Sequence, residues 1–308
     1  MSNKNNNLLA YICLLIAVIL WGGNWAAVRY VVQAMPHLVV VTVRTVLAAA
    51  ILLVVLRITG GQSLSRNNIK ILALLGFVGI FGFNVLQYTG LKYTTAINGS
   101  LINGTIPILT ILLSRIIIKE RLSVVQLSGV IISFLGVGWV ITNGSWTVID
   151  SLKFNVGDIM MLLAAACWAL YTIYGRRPTL EYSALYVTAY ATLFAAIYFI
   201  PFGAVQHHAN SFYSISWETA AAIFYVIVVA VIALVAWLKG VSIIGPSRAS
   251  IFMNLVPVFT VLSASMLLDE MISVHQLIGA VFVLGGVFLT TNPGFAVKPK
   301  IEVDPEQL

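Results

Sequence analysis

Ten long apolar stretches restrict the fold of this chain more than any other feature of its sequence. Each is about 20 residues long, which is the length an α-helix needs to cross roughly 30 Å of hydrocarbon. We therefore predict ten membrane-spanning helices, called spans 1 to 10, with ends uncertain by a few residues. Their predicted positions are 8–28, 37–58, 69–89, 96–116, 124–142, 156–175, 183–203, 217–238, 246–267 and 274–291.

Composition agrees with lipid as the main solvent of the surface. Only 9% of the 308 residues are charged and 60% are hydrophobic, whereas soluble domains carry about 25% charged residues. The net charge of +7 comes from short breaks between apolar runs and forms no basic block, so no nucleic-acid partner is predicted. Cys13 and Cys167 both lie inside apolar runs, where buried free thiols are expected.

The breaks between spans carry turn residues and charges. We place them at Thr59-Gly60-Gly61, Lys119-Glu120-Arg121, Asn143-Gly144-Ser145 and Arg176-Arg177-Pro178. Most connections are short, which favours antiparallel neighbours in a compact bundle.

Lysine and arginine are distributed unevenly between the two sides. With the N-terminus inside, twelve of the 17 basic residues fall on the inner side and three on the outer side. Arg44 and Arg248 lie within or at the edge of spans. The positive-inside rule then predicts that both termini are cytoplasmic, in a plasma membrane such as the bacterial inner membrane.

An internal repeat divides the chain into two halves. A shift of 150 residues aligns 90–142 with 240–292. The informative matches are scarce residue types: Pro107 with Pro257, Glu120 with Glu270, Ser123 with Ser273, Gln126 with Gln276, Gly129 with Gly279 and Gly136 with Gly286. A shift of 147 also brings Trp21 onto Trp168. Since each half holds five spans, an odd number, the second half is predicted to be inverted in the membrane.

The predicted fold class is therefore all-α: a polytopic membrane protein of ten transmembrane helices in two inverted five-helix repeats. The predicted division is 1–145 for the first repeat, 146–293 for the second and 294–308 for a polar cytoplasmic tail. Inverted repeats are the usual architecture of alternating-access carriers, whose substrate site lies between the repeats.

Polar and aromatic residues inside the spans are the candidate substrate-binding residues, because amides in hydrocarbon must be paired or must face a cavity. They form two groups. The outer group is Trp21, Asn24, Asn84, Gln87, Tyr88 and Asn103. The inner group is Trp168, Tyr171, Ser250 and Asn254, with Trp237 and Arg248 at the same level. We interpret them as an outer and an inner gate with the substrate between them. Interfacial anchoring of the aromatic residues and amide bonds that join helices are the structural alternatives.

Other residues within the spans allow further predictions. Pro107 and Pro257, at matched mid-span positions, are hinges or static kinks. Gly129 and Gly136, with their repeats in span 10, indicate close packing, for which the contact between spans 5 and 10 is a candidate. Arg44 either meets an anionic group of the substrate or extends towards the outer interface.

These features resemble the EamA-type branch of the drug/metabolite transporter superfamily. The matching elements are the Trp21–Trp25 segment, the repeated proline, glutamate, serine, glutamine and glycine positions, and Gly157-Asp158 with Cys167-Trp168-Ala169. The resemblance covers nearly the whole chain. It implies a five-plus-five inverted fold, a central substrate path, and export of amino acids or related metabolites, with aromatic amino acids and amphiphilic drugs among the substrates of some members.

The function predicted is an alternating-access transporter that exports a small metabolite, either an amino acid, including an aromatic one, or a related amphiphilic compound. The alternative is an intramembrane enzyme acting on a lipid or lipid-linked substrate; a channel or scaffold is a third class. We expect no catalytic residue, no cofactor and no metal. The expected partners are the small-molecule substrate and the lipid bilayer, with the protein as a monomer or weak homodimer.

Overall fold

The computed structural model describes residues 2–34, 36–94, 96–120, 122–150, 155–208, 216–268, 272–292 and 294. Within these ranges the regular structure is entirely helical. Glu270 and most of the predicted polar tail lie outside the described residues.

The helices follow the predicted order of spans. Seven spans are single helices: Ser2–Ala34 (span 1), His37–Ile58 (span 2), Val124–Ile141 (span 5), Val156–Glu181 (span 6), Ala184–His208 (span 7), Trp217–Ile244 (span 8) and Val274–Thr291 (span 10). The other three are interrupted. Span 3 is Ile69–Leu75, Gly76–Gly82 and Phe83–Gly90; span 4 is Ala96–Asn103 and Ile106–Ile117; span 9 is Pro246–Ser250, Ile251–Leu255 and Val256–Leu268.

In the described part of the chain, nine segments of 18 to 28 residues are long and apolar enough to cross a membrane. The tenth predicted segment, span 9, is divided into three short helices that together run from Pro246 to Leu268. The prediction of an all-α polytopic protein with two inverted five-helix repeats is therefore confirmed.

Several helices are longer than the apolar runs from which they were predicted. The predicted break at Arg176-Arg177-Pro178 is wrong, because span 6 continues as a helix to Glu181 and includes Pro178. The chain turns only at Tyr182, whose backbone is extended. A proline near a helix end interrupts few backbone hydrogen bonds, so the helix can extend beyond the hydrocarbon.

The packing of the spans has a pseudo-twofold pattern. Spans 5 and 10 pack together, as do spans 2 and 7, so each of these pairs joins equivalent helices of the two repeats. Span 1 packs on spans 8 and 9, and its equivalent, span 6, packs on spans 3 and 4. Each of these contacts of a span in one repeat thus has its equivalent in the other repeat, as two copies of one five-helix unit produce when one copy is inverted.

Spans 5 and 10 begin in the same way. Each starts with a capping box in which a serine hydroxyl accepts from the backbone of a glutamine three residues later, and the glutamine side chain accepts from the serine backbone. The repeated Ser123/Gln126 and Ser273/Gln276 pairs therefore define helix starts, since such a box satisfies amides that the first turn leaves without partners.

Close backbone contact joins spans 5 and 10, as their glycines predicted. A Cβ atom on Gly286 would lie 2.3 Å from the carbonyl oxygen of Gly129, and one on Gly136 would lie 2.8 Å from that of Gly279. Small residues let two helices approach closely where lipid supplies no hydrophobic driving force. This crossing ties the two repeats together.

We expect Gly286→Ala to lower the free energy of unfolding by about 1–3 kcal/mol, the usual cost of overpacking. Gly285→Ala is the matched control, because nothing lies within 4 Å of a Cβ at that neighbouring position. Thermal unfolding of the detergent-solubilised variants measures the difference. Equal midpoints for the two variants would contradict the close crossing.

Candidate functional site

Both ends of the described bundle lie on one face. The Tyr11 hydroxyl in the first part of span 1 donates to the carbonyl oxygen of Thr291, the last residue of span 10, at 2.9 Å. We call this the terminal face; spans 4, 6 and 8 also end there, at Ile117, Glu181 and Ile244. The opposite side, where spans 3 and 5 end, is called the distal face.

The interruptions in spans 3, 4 and 9 occur inside the bundle. Gly76–Gly82 of span 3 forms a π-helix, a wider turn often found at functional sites. Span 4 breaks at Gly104-Thr105, and span 9 changes to a 3₁₀-helix at Ile251–Leu255. Irregular backbone at membrane depth is tolerated where it is buried in protein or lines a cavity.

The two repeated prolines lie next to these breaks. Pro107 is in the first turn of Ile106–Ile117, and Pro257 is in the first turn of Val256–Leu268. They therefore lie at the start of the last helical segment of spans 4 and 9, and the expected kink within a continuous helix is wrong. Proline is well accommodated there, because the first-turn amides have no partner within the helix.

A cavity of about 510 Å³ lies between the two repeats. It is lined by residues from nine of the ten spans and reaches Leu91, Gly99, Ile141 and Gln276 near the distal ends of spans 3, 4, 5 and 10. The cavity thus occupies the distal half of the bundle. Its volume is in the range of small-molecule binding sites.

Tryptophans form the floor of this cavity. The rings of Trp21 and Trp168 both line it, and their centroids lie 5.3 Å apart at an interplanar angle of 83°. Trp237 packs beneath them, 5.4 Å from Trp21 and 5.9 Å from Trp168, and is fully buried. Phe83, also in the lining, stands 5.1 Å from Trp168. An apolar ligand could stack on this aromatic surface.

One wall carries three of the predicted residues, all from span 3. Asn84, Gln87 and Tyr88 all line the cavity. Asn84 is held at both ends of its amide: its nitrogen donates to the carbonyl of Ile80 at 2.6 Å, and its oxygen accepts from Arg44 at 3.1 Å. The π-helical turn just before Phe83 sets the rotation of this face towards the cavity.

Three further asparagines line the cavity from different spans. They are Asn24 of span 1, Asn103 at the break of span 4 and Asn254 in the 3₁₀ segment of span 9. Each has a side-chain oxygen that is buried and has no hydrogen-bond partner. The amide nitrogen of Asn254 donates to the Ser133 hydroxyl at 3.0 Å, which orients this side chain. Buried acceptors without partners are uncommon and call for an explanation such as a ligand or water.

Three of the predicted residues lie outside the lining. Tyr171 is fully buried beneath Trp168, where its ring occupies the space left by Gly79. Ser250 is fully buried and donates to the backbone carbonyl of Ser247 at 2.9 Å. Pro107 is also buried away from the cavity, whereas Pro257 lines it.

The separation into an outer and an inner gate is also wrong for this conformation. Trp21 of the outer group touches Trp168 of the inner group, and Asn254 shares a cavity with Asn84. The physical reason is that spans 1 and 6 approach each other near the middle of the bundle, so equivalent tryptophans meet. Members of both groups form a single cavity, with Tyr171 and Trp237 packed below it.

Several lining residues lie outside the predicted set, notably Arg44, Phe83, Thr260 and Gln276. The sequence alone leaves open whether the Arg44 side chain points into the bundle or towards the outer interface. Its hydrogen bond to Asn84 and its position in the lining show that the guanidinium turns into the bundle. A charge inside an otherwise apolar span was the signal that could have identified it.

The terminal face is closed by a contact between the repeats. Glu120, just after span 4, accepts from the Ser247 hydroxyl at the start of span 9 at 2.9 Å. Above it, the Trp237 indole donates to Thr172 at 3.3 Å, joining span 8 to span 6.

The terminal and distal faces differ in how the spans pack on one another. Span 6 packs on span 8, and the end of span 4 packs on the start of span 9. In the described residues, the equivalent pairings, of span 1 with span 3 and of the start of span 4 with the end of span 9, are absent or reduced to isolated contacts. The spans are thus packed together at the terminal face and apart around the distal cavity.

A ten-span bundle of inverted repeats with a polar, aromatic-floored cavity between them defines a membrane transporter. The comparisons agree, since the model of the EamA-like transporter family matches residues 8–142 and again residues 155–292. The chain belongs to the EamA-like transporter family.

Curated relatives are also named as transporters. The chain is 37% identical over 285 residues to the uncharacterized transporter YyaM of Bacillus subtilis (strain 168), covering 92% of this chain and 93% of that protein. It is 28% identical over 296 residues to an uncharacterized transporter of Archaeoglobus fulgidus, with coverage of 94% and 98%. A solved crystal structure shares the fold with a TM-score of 0.75 at 18% identity, covering 94% of this chain and 96% of that chain.

We expect Glu120→Gln to loosen the terminal face. Loss of a charge-assisted hydrogen bond costs about 1.5–3 kcal/mol, so amide hydrogen exchange in 245–250 is expected to accelerate by about 10-fold or more. Glu218→Gln is the control, because Glu218 is exposed at the start of span 8. Unchanged exchange in 245–250 would show that Glu120 does not hold this face closed.

Proposed function

We propose that the protein exports a small amphiphilic metabolite, most simply an amino acid with an apolar or aromatic side chain, by alternating access. The observation that carries this proposal is the single cavity between inverted repeats, with tryptophans below and amides around it. The aromatic floor formed by Trp21 and Trp168 suits an apolar side chain, and the polar wall suits the backbone groups of an amino acid.

The polar lining of the cavity supports a carrier rather than the alternative of an intramembrane enzyme. Among the described residues that line it there is no Asp, Glu, His or Cys. Apart from Arg44, its polar side chains are amides, hydroxyls and the indoles of tryptophan, and these bind and orient a ligand without supplying a general base.

We propose export as the direction, from a plasma membrane in which both termini are cytoplasmic. The excess of lysine and arginine on the terminal face supports this orientation. The distal cavity would then face outwards in this conformation, which corresponds to the stage of release. Substrate would enter from the cytoplasm after the terminal face has opened.

The substrate-binding residues we propose are the eight predicted substrate-binding residues found in the lining, together with Arg44 as the charge among them. Pro107 and Pro257 remain proposed hinges, because each begins a helix segment directly after an interruption. A change in the backbone conformation at these two breaks would tilt parts of spans 4 and 9 without disturbing the crossing of spans 5 and 10.

Counterflow of radiolabelled amino acids in proteoliposomes tests the function. We expect saturable uptake into vesicles loaded with unlabelled substrate. Trp168→Ala, Trp21→Ala and Gln87→Ala should each raise the half-saturation concentration by about 10-fold, since loss of an aromatic contact or a hydrogen bond costs about 1–1.5 kcal/mol.

Trp217→Ala is the matched control, because this tryptophan is 81% exposed at the distal start of span 8. Its kinetics should equal those of the unchanged chain. If the three lining variants leave both rate and half-saturation unchanged, the assignment of the site is wrong. If no amino acid shows counterflow, the proposed substrate is wrong.

A further inference from the structure

We infer that the cavity recognises the two charged poles of an amino acid at separate places, with Arg44 binding the carboxylate and asparagine oxygens binding the ammonium group. This inference rests on the proposed function and adds a rule of charge selection to it: the carrier accepts zwitterions and rejects cations that lack a carboxylate. Arg44 is then the residue that decides which class of compound the cavity binds.

Arg44 has the properties of an incomplete anion site. It lies in span 2 within the membrane, it lines the cavity, and one Nη atom donates to Asn84. Its Nε atom is buried and has no partner. A guanidinium group presents five donors in a planar fork that matches a carboxylate. One donor is used by Asn84, which holds the group in place, and the Nε atom is left for a ligand.

No carboxylate of the protein balances this charge within the cavity. The described lining residues include neither Asp nor Glu, so Arg44 is the one formally charged group among them. A fixed positive charge in surroundings of low dielectric repels a second cation strongly. The same charge attracts a substrate carboxylate, which would otherwise lose its hydration without compensation.

Acceptors for the opposite pole are present as well. The side-chain oxygens of Asn24, Asn103 and Asn254 are buried in the lining without hydrogen-bond partners. An ammonium group carries three donors and no acceptor. A carboxylic acid without an amino group would leave these oxygens unsatisfied, whereas an α-amino acid matches both kinds of unpartnered group.

Inhibition of counterflow by three matched compounds tests the rule. Phenylalanine carries both poles, 3-phenylpropionate only the carboxylate and phenethylamine only the ammonium group. We expect phenylalanine to inhibit best, 3-phenylpropionate to need about 10-fold higher concentration, and phenethylamine to have no effect in the same range, since a hydrogen bond to a charged group is worth about 1.5–3 kcal/mol.

Arg44→Gln should raise the inhibitory concentration of phenylalanine by about 10- to 100-fold, and Arg44→Lys should recover part of this loss because it keeps the charge without the planar fork. Arg57→Gln, an exposed change at the terminal end of the same helix, is the matched control. Quenching of tryptophan fluorescence by ligand binding shows whether a variant without transport still folds and binds.

The outcomes separate this inference from the proposed function. Transport of phenylalanine with an unchanged inhibitory concentration in Arg44→Gln would overturn the inference and leave the proposed function intact. Inhibition by phenethylamine at the concentrations that suffice for phenylalanine would do the same. Absence of counterflow with any amino acid in the unchanged chain would overturn the proposed function itself.

Discussion

Hydrocarbon offers no hydrogen-bond partner to a peptide group, and this constraint decides where the chain must be regular and where it can be interrupted. Seven spans meet it as continuous helices. The interruptions in spans 3, 4 and 9 are placed in the interior, where Asn84, Asn103 and Asn254 come to line the cavity. The irregular segments therefore line the site, together with the continuous helices that carry Trp21, Arg44 and Trp168.

The repeat explains how such a site can serve two sides. Equivalent spans of the two repeats pack on each other, span 5 on span 10 and span 2 on span 7, so the two halves are joined symmetrically. The other contacts between spans differ on the two sides: the spans pack together at the terminal face and are apart around the distal cavity. Under the proposed alternating-access function, exchanging the roles of the repeats would give a second conformation, in which the terminal face is open, without any new kind of contact.

The number, order and ends of most spans could be predicted because apolar length and capping residues are local properties of the sequence. The crossing of spans 5 and 10 could be anticipated from Gly129 and Gly136, since glycines at matched places have few other uses in a membrane helix. The repeat itself was visible because proline, glutamate and glutamine are scarce in such a chain.

The rotation of each span was harder to predict. Lipid-facing and interior-facing surfaces are both apolar, so periodicity does not show which side of a span faces the cavity. For this reason Tyr171 and Ser250 were expected at the site and are instead buried beneath it. How closely spans 1, 2, 3 and 6 approach one another decides whether Trp21 contacts Trp168 and where the Arg44 side chain points. The π-helix of span 3 has no local signal beyond its glycines.

The most direct test of the account is the accessibility of two equivalent serines, Ser100 in the cavity and Ser250 buried on the terminal side. Each is replaced by cysteine in a transporting chain whose Cys13 and Cys167 have been changed to serine. A membrane-impermeant thiol reagent is then applied to vesicles of either orientation. The account predicts that the cysteine at position 100 reacts only from the distal face and the cysteine at position 250 only from the terminal face. A cysteine at position 250 that never reacts during transport, or two cysteines that react from the same face, would contradict alternating access.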